Sequence, residues 1–577
     1  MRISRVFAVM MAVALAVGCG SDSVTDPSPQ TVLGLTVTPK GATSVQLSFT
    51  GTAGDASYSI ERATGATGAF AAVGSVPAPA NGGTVTWDDT GLTPNTVYRY
   101  RVITVRGSAS SLASGEISAT TAAPGNASLT INQDITTNRT LSVDTAYTIS
   151  GFVHVLNGAT LTIQPGTIIK GDYNVLGSSL MIMRGARINA VGTAAAPIVF
   201  TSSRPAGQRQ PGDWGGLIIV GNAPDSRSGV VNIEGSGTDG NTVVSGKNYP
   251  VQYSGGNVAT DNSGTLAYVR VEFSGYAPIQ DQEFNSFTFA AVGSGTRASY
   301  LESLAGLDDS FEFFGGGFDL DHLVAFETAD DVLDMSEGFS GRIQFVVAQA
   351  TTQLTPRTGA GFYAVDLEGI ENDGCNGTGC DLGFNSAPFT IPLVANFTII
   401  GCGQASCVGT GGGHGMMLRR GTGGYYVNGV IARWPTDGIS LRDQQTYDRA
   451  GATATPAATA DLQVRNIVFA ETNAKLFQTP SATQFALDPA ANNLTLSTAT
   501  AASLFAAIPA VGASPASINE FDFTPAAGSP IATAGLSTFT GAIATKAGTF
   551  VTGTAYAGGA APGGPKWWQG WTSYARN

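Results

Sequence analysis

The sequence predicts an all-β protein in two parts, a β-sandwich followed by a right-handed parallel β-helix. Three observations predict it. First, Asp308-Asp309-Ser310-Phe311-Glu312-Phe313-Phe314-Gly315-Gly316 returns as Asp330-Asp331-Val332-Leu333-Asp334-Met335-Ser336-Glu337-Gly338, with every position displaced by 22 residues. A short fixed period in a Gly-rich chain marks a solenoid whose coils stack equivalent residues along one axis. Second, Gly reaches 75 of 577 residues and charged residues only 12%, while apolar residues make up 43%. That balance suits strands and tight turns and argues against disorder. Third, residues 31–122 alternate short strands with turn residues at regular spacing, the pattern of a sandwich.

The chain opens on Met1-Arg2-Ile3-Ser4-Arg5, an apolar run from Val6 to Val17, and Gly18-Cys19. A basic start, a short apolar core and a small residue before cysteine read as an export signal over 1–18. The run is too short to remain as a membrane span. Ala16-Val17-Gly18-Cys19 resembles a bacterial lipobox, although Leu is usual at its first position. The resemblance implies that Cys19 is lipidated and holds the protein at the outer membrane. The other reading is an ordinary secretory signal with an incidental cysteine. The Ser, Asp and Pro residues of 19–30 then form a flexible tether.

In 31–122 the strands are Leu33–Val37, Ser44–Phe49, Tyr58–Arg62, Thr84–Trp87 and Tyr98–Val105. Gly91-Leu92-Thr93-Pro94-Asn95-Thr96-Val97-Tyr98 resembles the tyrosine corner of fibronectin type III domains, which implies such a domain over 31–122. Modules of this kind act as spacers, and some bind sugars or proteins.

After a hinge at Ala122–Gly125 the texture changes, and 126–577 reads as the β-helix. Gly158–Ile169, Ser179–Ile188 and Pro197–Ser202 are its first coils; Leu266–Phe273, Ser286–Ala290 and Gly341–Val347 continue it. Gly415–Arg420 and Gly438–Asp443 are displaced by 23, so the repeat runs past the acidic segments. Asn396, Asn428 and Asn466 each enter a strand, and a ladder of asparagines bonding neighbouring coils from within a turn is expected. Insertions near 203–213, 224–262, 350–391 and 444–460 are expected as loops. Residues 478–560 pack along the helix or close its end. Lys566–Tyr574, with Trp567, Trp568, Trp571 and Tyr574, is expected to cap the last apolar coil, the rival being an aromatic sugar platform.

Gly212-Asp213-Trp214-Gly215-Gly216-Leu217-Ile218-Ile219, Asn222-Ala223-Pro224, Tyr268–Gly275, the two acidic segments and the closing Gly570-Trp571-Thr572 resemble a family of bacterial cell-surface β-helix lipoproteins over roughly 145–577. More distantly the chain resembles the pectin-lyase-like superfamily, whose coils host lyases, glycosidases and adhesins. Fold analogy does not choose among these.

Coils stack about 4.8 Å apart, so Asp308, Asp309, Glu312, Asp330, Asp331 and Asp334 would repel unless a cation, water or bound cationic group lies among them. Oxygen donors from neighbouring coils suit Ca²⁺, which takes six to eight of them. Turn capping of backbone amides is the structural alternative. Catalysis is the third: Asp309 and Asp331 could form an acid and base pair for polysaccharide cleavage. A lyase would need a base, and since no lysine lies between Lys247 and Lys475 the candidates are Arg342, Arg419, Arg420, His322 and His414. The four remaining cysteines form close couples, Cys375 with Cys380 and Cys402 with Cys407. Export favours two disulfides over a four-thiolate zinc site. A net charge of −13 disfavours nucleic acid and leaves cations, glycans and surface proteins as partners. The function expected from this layout is binding or scaffolding at the cell surface, with polysaccharide cleavage as the alternative.

Overall fold

The computed structural model describes residues 28–40, 42–122, 127–237, 250–279, 282–361, 366–409, 411–451, 458–478 and 484–574. The signal segment 1–18 and Cys19 lie outside the described residues, as does most of the tether. The chain divides into two compact units, one drawn from residues up to 119 and the other dominated by 120–577.

In the first unit Ser57–Thr64 pairs antiparallel with both Ala71–Pro77 and Val97–Arg106, in the register Ile60 with Gly74 and Val102. A second sheet orders Leu33–Pro39, Ser44–Gly51 and Gly83–Thr90. In Ser44–Gly51, Ser57–Thr64 and Val97–Arg106 alternation buries one face, including Leu47, Phe49, Tyr58, Ile60, Tyr98, Tyr100 and Val102. Phe49 meets Tyr58 edge to face at 5.0 Å.

The second unit is a parallel β-helix. Early coils use three short strands each, as in Thr160–Ile163, Ile168–Gly171 and Ser179–Ile182. From Gly264–Glu272 onward the first two merge into one long strand, which pairs in its first half with Arg187–Val191 and in its second with Ile198–Ser202. The long strand bends where one residue takes positive φ. These bends stack in register as Tyr268, Tyr300, His322, Phe345, Asn396, Asn428 and Asn466, with φ between 51° and 65°. The third strand of each coil joins a nine-stranded parallel sheet running from Phe152–Val155 to Ser440–Leu441. Phe311 lies over Leu333, Glu312 over Asp334 and Phe313 over Met335, the 22-residue period made structural. The interior is filled by inward residues such as Phe287, Phe311, Phe289, Phe313 and Phe339, with stacked rings 4.5–5.4 Å apart.

Three expectations are corrected. The asparagines occupy mid-strand bends, not strand entries, and the column begins with aromatic rings: Tyr268, Tyr300 and His322 stack at 4.3 Å spacing. Their amides bond the C-terminal segment as well as neighbouring coils: Asn396 to Thr554, Asn428 to Leu536, and Asn466 to Ala534. The expected loop 350–391 contains the strand Ile370–Asp373, a regular member of the third wall. The closing aromatics pack sideways instead of over the last coil. Trp568, Trp571 and Tyr574 are buried against Phe273, Leu304, Phe326, Phe521 and Phe523 along the outer side of the long strands.

Candidate metal centre

Along the third wall, alternation sends Phe311, Phe313, Leu333, Met335 and Ile370 inward. Glu312, Asp334 and Glu371 therefore face outward, in register with Thr288 before them and Met417 after. A second column stands three residues earlier, where each chain turns onto this wall. It runs Asn285, Asp309, Asp331, Glu368. Here a side chain of one coil accepts the backbone N–H of the next: Asp309 N donates to Asn285 Oδ1 at 3.0 Å, and Asp331 N to Asp309 Oδ1 at 2.8 Å. Turn capping thus occurs, and it consumes one oxygen of Asp309.

The remaining oxygens converge. Asp308, Asp309 and Asp330 bring carboxylate oxygens within 4.8 Å of one another, as do Asp309, Asp331 and Asp334, and Asp331, Glu368 and Glu371. Asp309 and Asp331 each belong to two groups, so the three form a continuous chain across three coils. Asp331 Oδ1, Asp334 Oδ1 and Glu368 Oε2 are buried without a hydrogen-bond partner. Such orphaned charged oxygens cost more than any neutral polar group.

Charge compensation is local to one end. Among the described residues only Arg419 forms an ion pair with a member of these groups, Glu371; it also pairs with the neighbouring Asp373, which Arg420 shares. Burial first, then repulsion by neighbouring carboxylates, pushes Asp308, Asp309, Glu312, Asp331, Asp334 and Glu368 well above the ordinary carboxylate range. Asp330 is raised to about 7 by burial and by Asp366, and Glu371 to about 8 by burial and by Asp373. Without a counter-charge the carboxylates would hold protons. The donors are all hard oxygens with no thiolate or imidazole in the groups, which fits Ca²⁺ and not zinc.

Access is closed. Asp308 is 7% exposed, Asp309 5%, Asp331 4% and Glu368 2%. On the same wall, Tyr253 stacks on Phe314 at 5.4 Å and bonds to Glu337, which also pairs with Arg227.

The structure therefore joins five of the six sequence candidates in these groups, Asp308, Asp309, Asp330, Asp331 and Asp334. Glu312 is outside these three groups, accepting from the amide of Asn285 one coil back, yet Asp309, Asp334 and Asp308 still repel its charge. Glu368 and Glu371 were not anticipated, because the insertion before them stretches the period from 22 to 37 residues. Their spacing was visible, since Asp309-x-x-Glu312 and Asp331-x-x-Asp334 recur as Glu368-x-x-Glu371. Arg342 lies on a different wall, held by Asp319 through two bonds of 2.7 Å. His322 is part of the aromatic stack, and His414 bonds Asp437 at 2.9 Å and meets Arg442. Both cysteine couples are disulfides, Cys375–Cys380 and Cys402–Cys407, with Cα atoms 5.7 and 6.4 Å apart.

Among solved structures, the chain is similar to pectate lyase Pel3 from Pectobacterium carotovorum in two crystal forms. One is 11% identical, covering 61% of this chain and 92% of that one with a TM-score of 0.14. The other is 10% identical, covering 64% and 86% with a TM-score of 0.17. It is also similar to pectate lyase PelI from Erwinia chrysanthemi in complex with tetragalacturonic acid, at 9% identity, 64% and 85% coverage and a TM-score of 0.14. No curated protein matches it. The model of the pectate-lyase-like beta helix domain matches residues 133–510, more than half of the chain. With its coils, its parallel walls and this match together, the chain belongs to the pectate-lyase-like β-helix domain family.

Proposed function

We propose that this is an exported, lipid-anchored bacterial surface protein whose β-helix is cross-linked by Ca²⁺ and which acts as a binding or scaffold protein for a glycan or another surface protein. The observation that carries the reading is the largely buried chain of carboxylates with orphaned oxygens and, among the described residues, cations paired at only one end. Asp308, Asp309, Asp330, Asp331, Asp334, Glu368 and Glu371 would hold the ion, which supplies the missing positive charge and ties successive coils together. A largely buried group suits a structural ion better than a substrate cleft. The lipobox-like Ala16–Cys19, the tether and a fibronectin type III-like spacer would place the β-helix walls beyond the outer membrane.

Family membership favours a second reading, cleavage of an acidic polysaccharide. On that reading Asp309 and Asp331 would serve as acid and base, with Arg342 as a further candidate. Incubating the Ca²⁺-loaded protein with a polysaccharide panel and screening the same preparation on a glycan array separates the two. Binding without new reducing ends or unsaturated products is expected; turnover on any polymer would replace the binding reading with the enzymatic one.

A further inference from the structure

A second site lies away from the carboxylates. A groove of about 950 Å³ is bounded by Ser340, Arg342, Phe389, Ile391, Tyr425 and the helix Gly541–Ala547, which contributes Lys546. Its floor is apolar: Ile391 packs with Leu393, Tyr425 and Ile543. Its two cations differ. Arg342 is fully engaged, with Asp319 on two nitrogens, the carbonyl of Ala547 on the third at 3.0 Å, and Phe550 beneath it. Lys546 donates to the backbone carbonyl of Ser340 and, among the described residues, forms no ion pair. In a chain of net charge −13, an ammonium with no ion pair among the described residues, beside an arginine whose carboxylate partner is already engaged and above an apolar floor, is a counter-charge in waiting. Burial and Arg342 lower its pKa to about 8, with Asp319 opposing them. Part of its hydration is thus already lost, and an anion arriving there need not strip it.

We infer that this groove binds a small organic anion, an apolar or aromatic body bearing one carboxylate, with Lys546 as the counter-charge and Phe389, Ile391 and Tyr425 as the seat of the body. Apolar walls with a few convergent polar groups are the common composition of small-molecule sites. The pairing of a charge with an apolar floor selects against inorganic anions, which have nothing to bury, and against amines and alcohols, which do not answer the ammonium.

The test is calorimetric titration of the whole protein with phenylacetate, alongside phenethylamine, 2-phenylethanol and inorganic phosphate. Saturable binding of phenylacetate alone is expected, weakened at least tenfold by Lys546→Met. It should also weaken roughly tenfold from pH 7 to pH 9, as an amine titrating near 8 loses its charge. Thr545→Trp, on the exposed rim, should block binding by filling the groove while leaving Lys546 and the melting curve unchanged. No saturable binding of phenylacetate, equal binding of the alcohol, displacement by phosphate, or undiminished affinity in either variant would overturn the assignment.

Discussion

Asp331 is the residue on which the carboxylate chain turns. It belongs to two of the three convergent groups, and one of its oxygens has no partner. Its neighbours fix the sign of the pH dependence. Without a cation, Asp330 at about 7 and Glu371 at about 8 keep protons that the unfolded chain, with carboxylates near 4, has already released. Their contribution to stability is complete below about pH 4 and is lost as pH rises through 7 to 8. In chelator, Tm should therefore fall between pH 5 and pH 8; in excess Ca²⁺ the fall should be flattened, because the ion replaces the protons. A chelated protein more stable at pH 8 than at pH 5 would contradict this. Asn428 offers a second residue test. It holds φ at 60° and its amide joins Leu536 and Thr554. Asn428→Ala should cost about 2–4 kcal/mol in denaturant unfolding, and Asn428→Gly about 1 kcal/mol less, since glycine is spared the left-handed strain. At this scale the sequence was legible where the period was unbroken, at Asp308–Glu312 and Asp330–Asp334. It was illegible at Glu368 and Glu371, because periodicity is read by counting and an insertion changes the count without changing the coil.

Elements in this fold are defined by what covers them. The long strands expose an apolar outer face, with Leu304, Val324, Phe326 and Ile400, that a bare solenoid would present to water. The C-terminal segment covers it, held by Glu302 on the amide of Ser573 at 3.0 Å and by Glu327 on the hydroxyl of Tyr574. Trp568 is fully buried in this contact. Trp568→Ala should lower stability by about 3–5 kcal/mol in equilibrium denaturation, the range for a buried large side chain. A loss within experimental error would mean the segment is a dispensable tail. An aromatic cluster at the end of a solenoid sequence signals covering, but which surface it covers depends on the path of residues 501–566, and no local pattern encodes that path. The same holds for Ile370–Asp373, a strand too short to stand out within an insertion.

For the whole molecule, the class and the wall architecture could be read before the structure because stacking repeats the same physics in each coil. Inward Phe, Leu, Ile and Met recur on the walls of each coil, and Gly returns at the turns. The burial of the acidic column was not readable, since it depends on how coils far apart in sequence stack on one another. That burial is what turns a row of carboxylates into a demand for a cation. The most direct measurement is thermal unfolding of the wild type and Asp331→Asn in excess Ca²⁺ and in excess EDTA. Ca²⁺ should raise the wild-type Tm by several degrees, as mass action requires of a ligand that binds only the folded chain, and should raise that of Asp331→Asn far less. Wild-type curves that superimpose in Ca²⁺ and in EDTA would contradict the account.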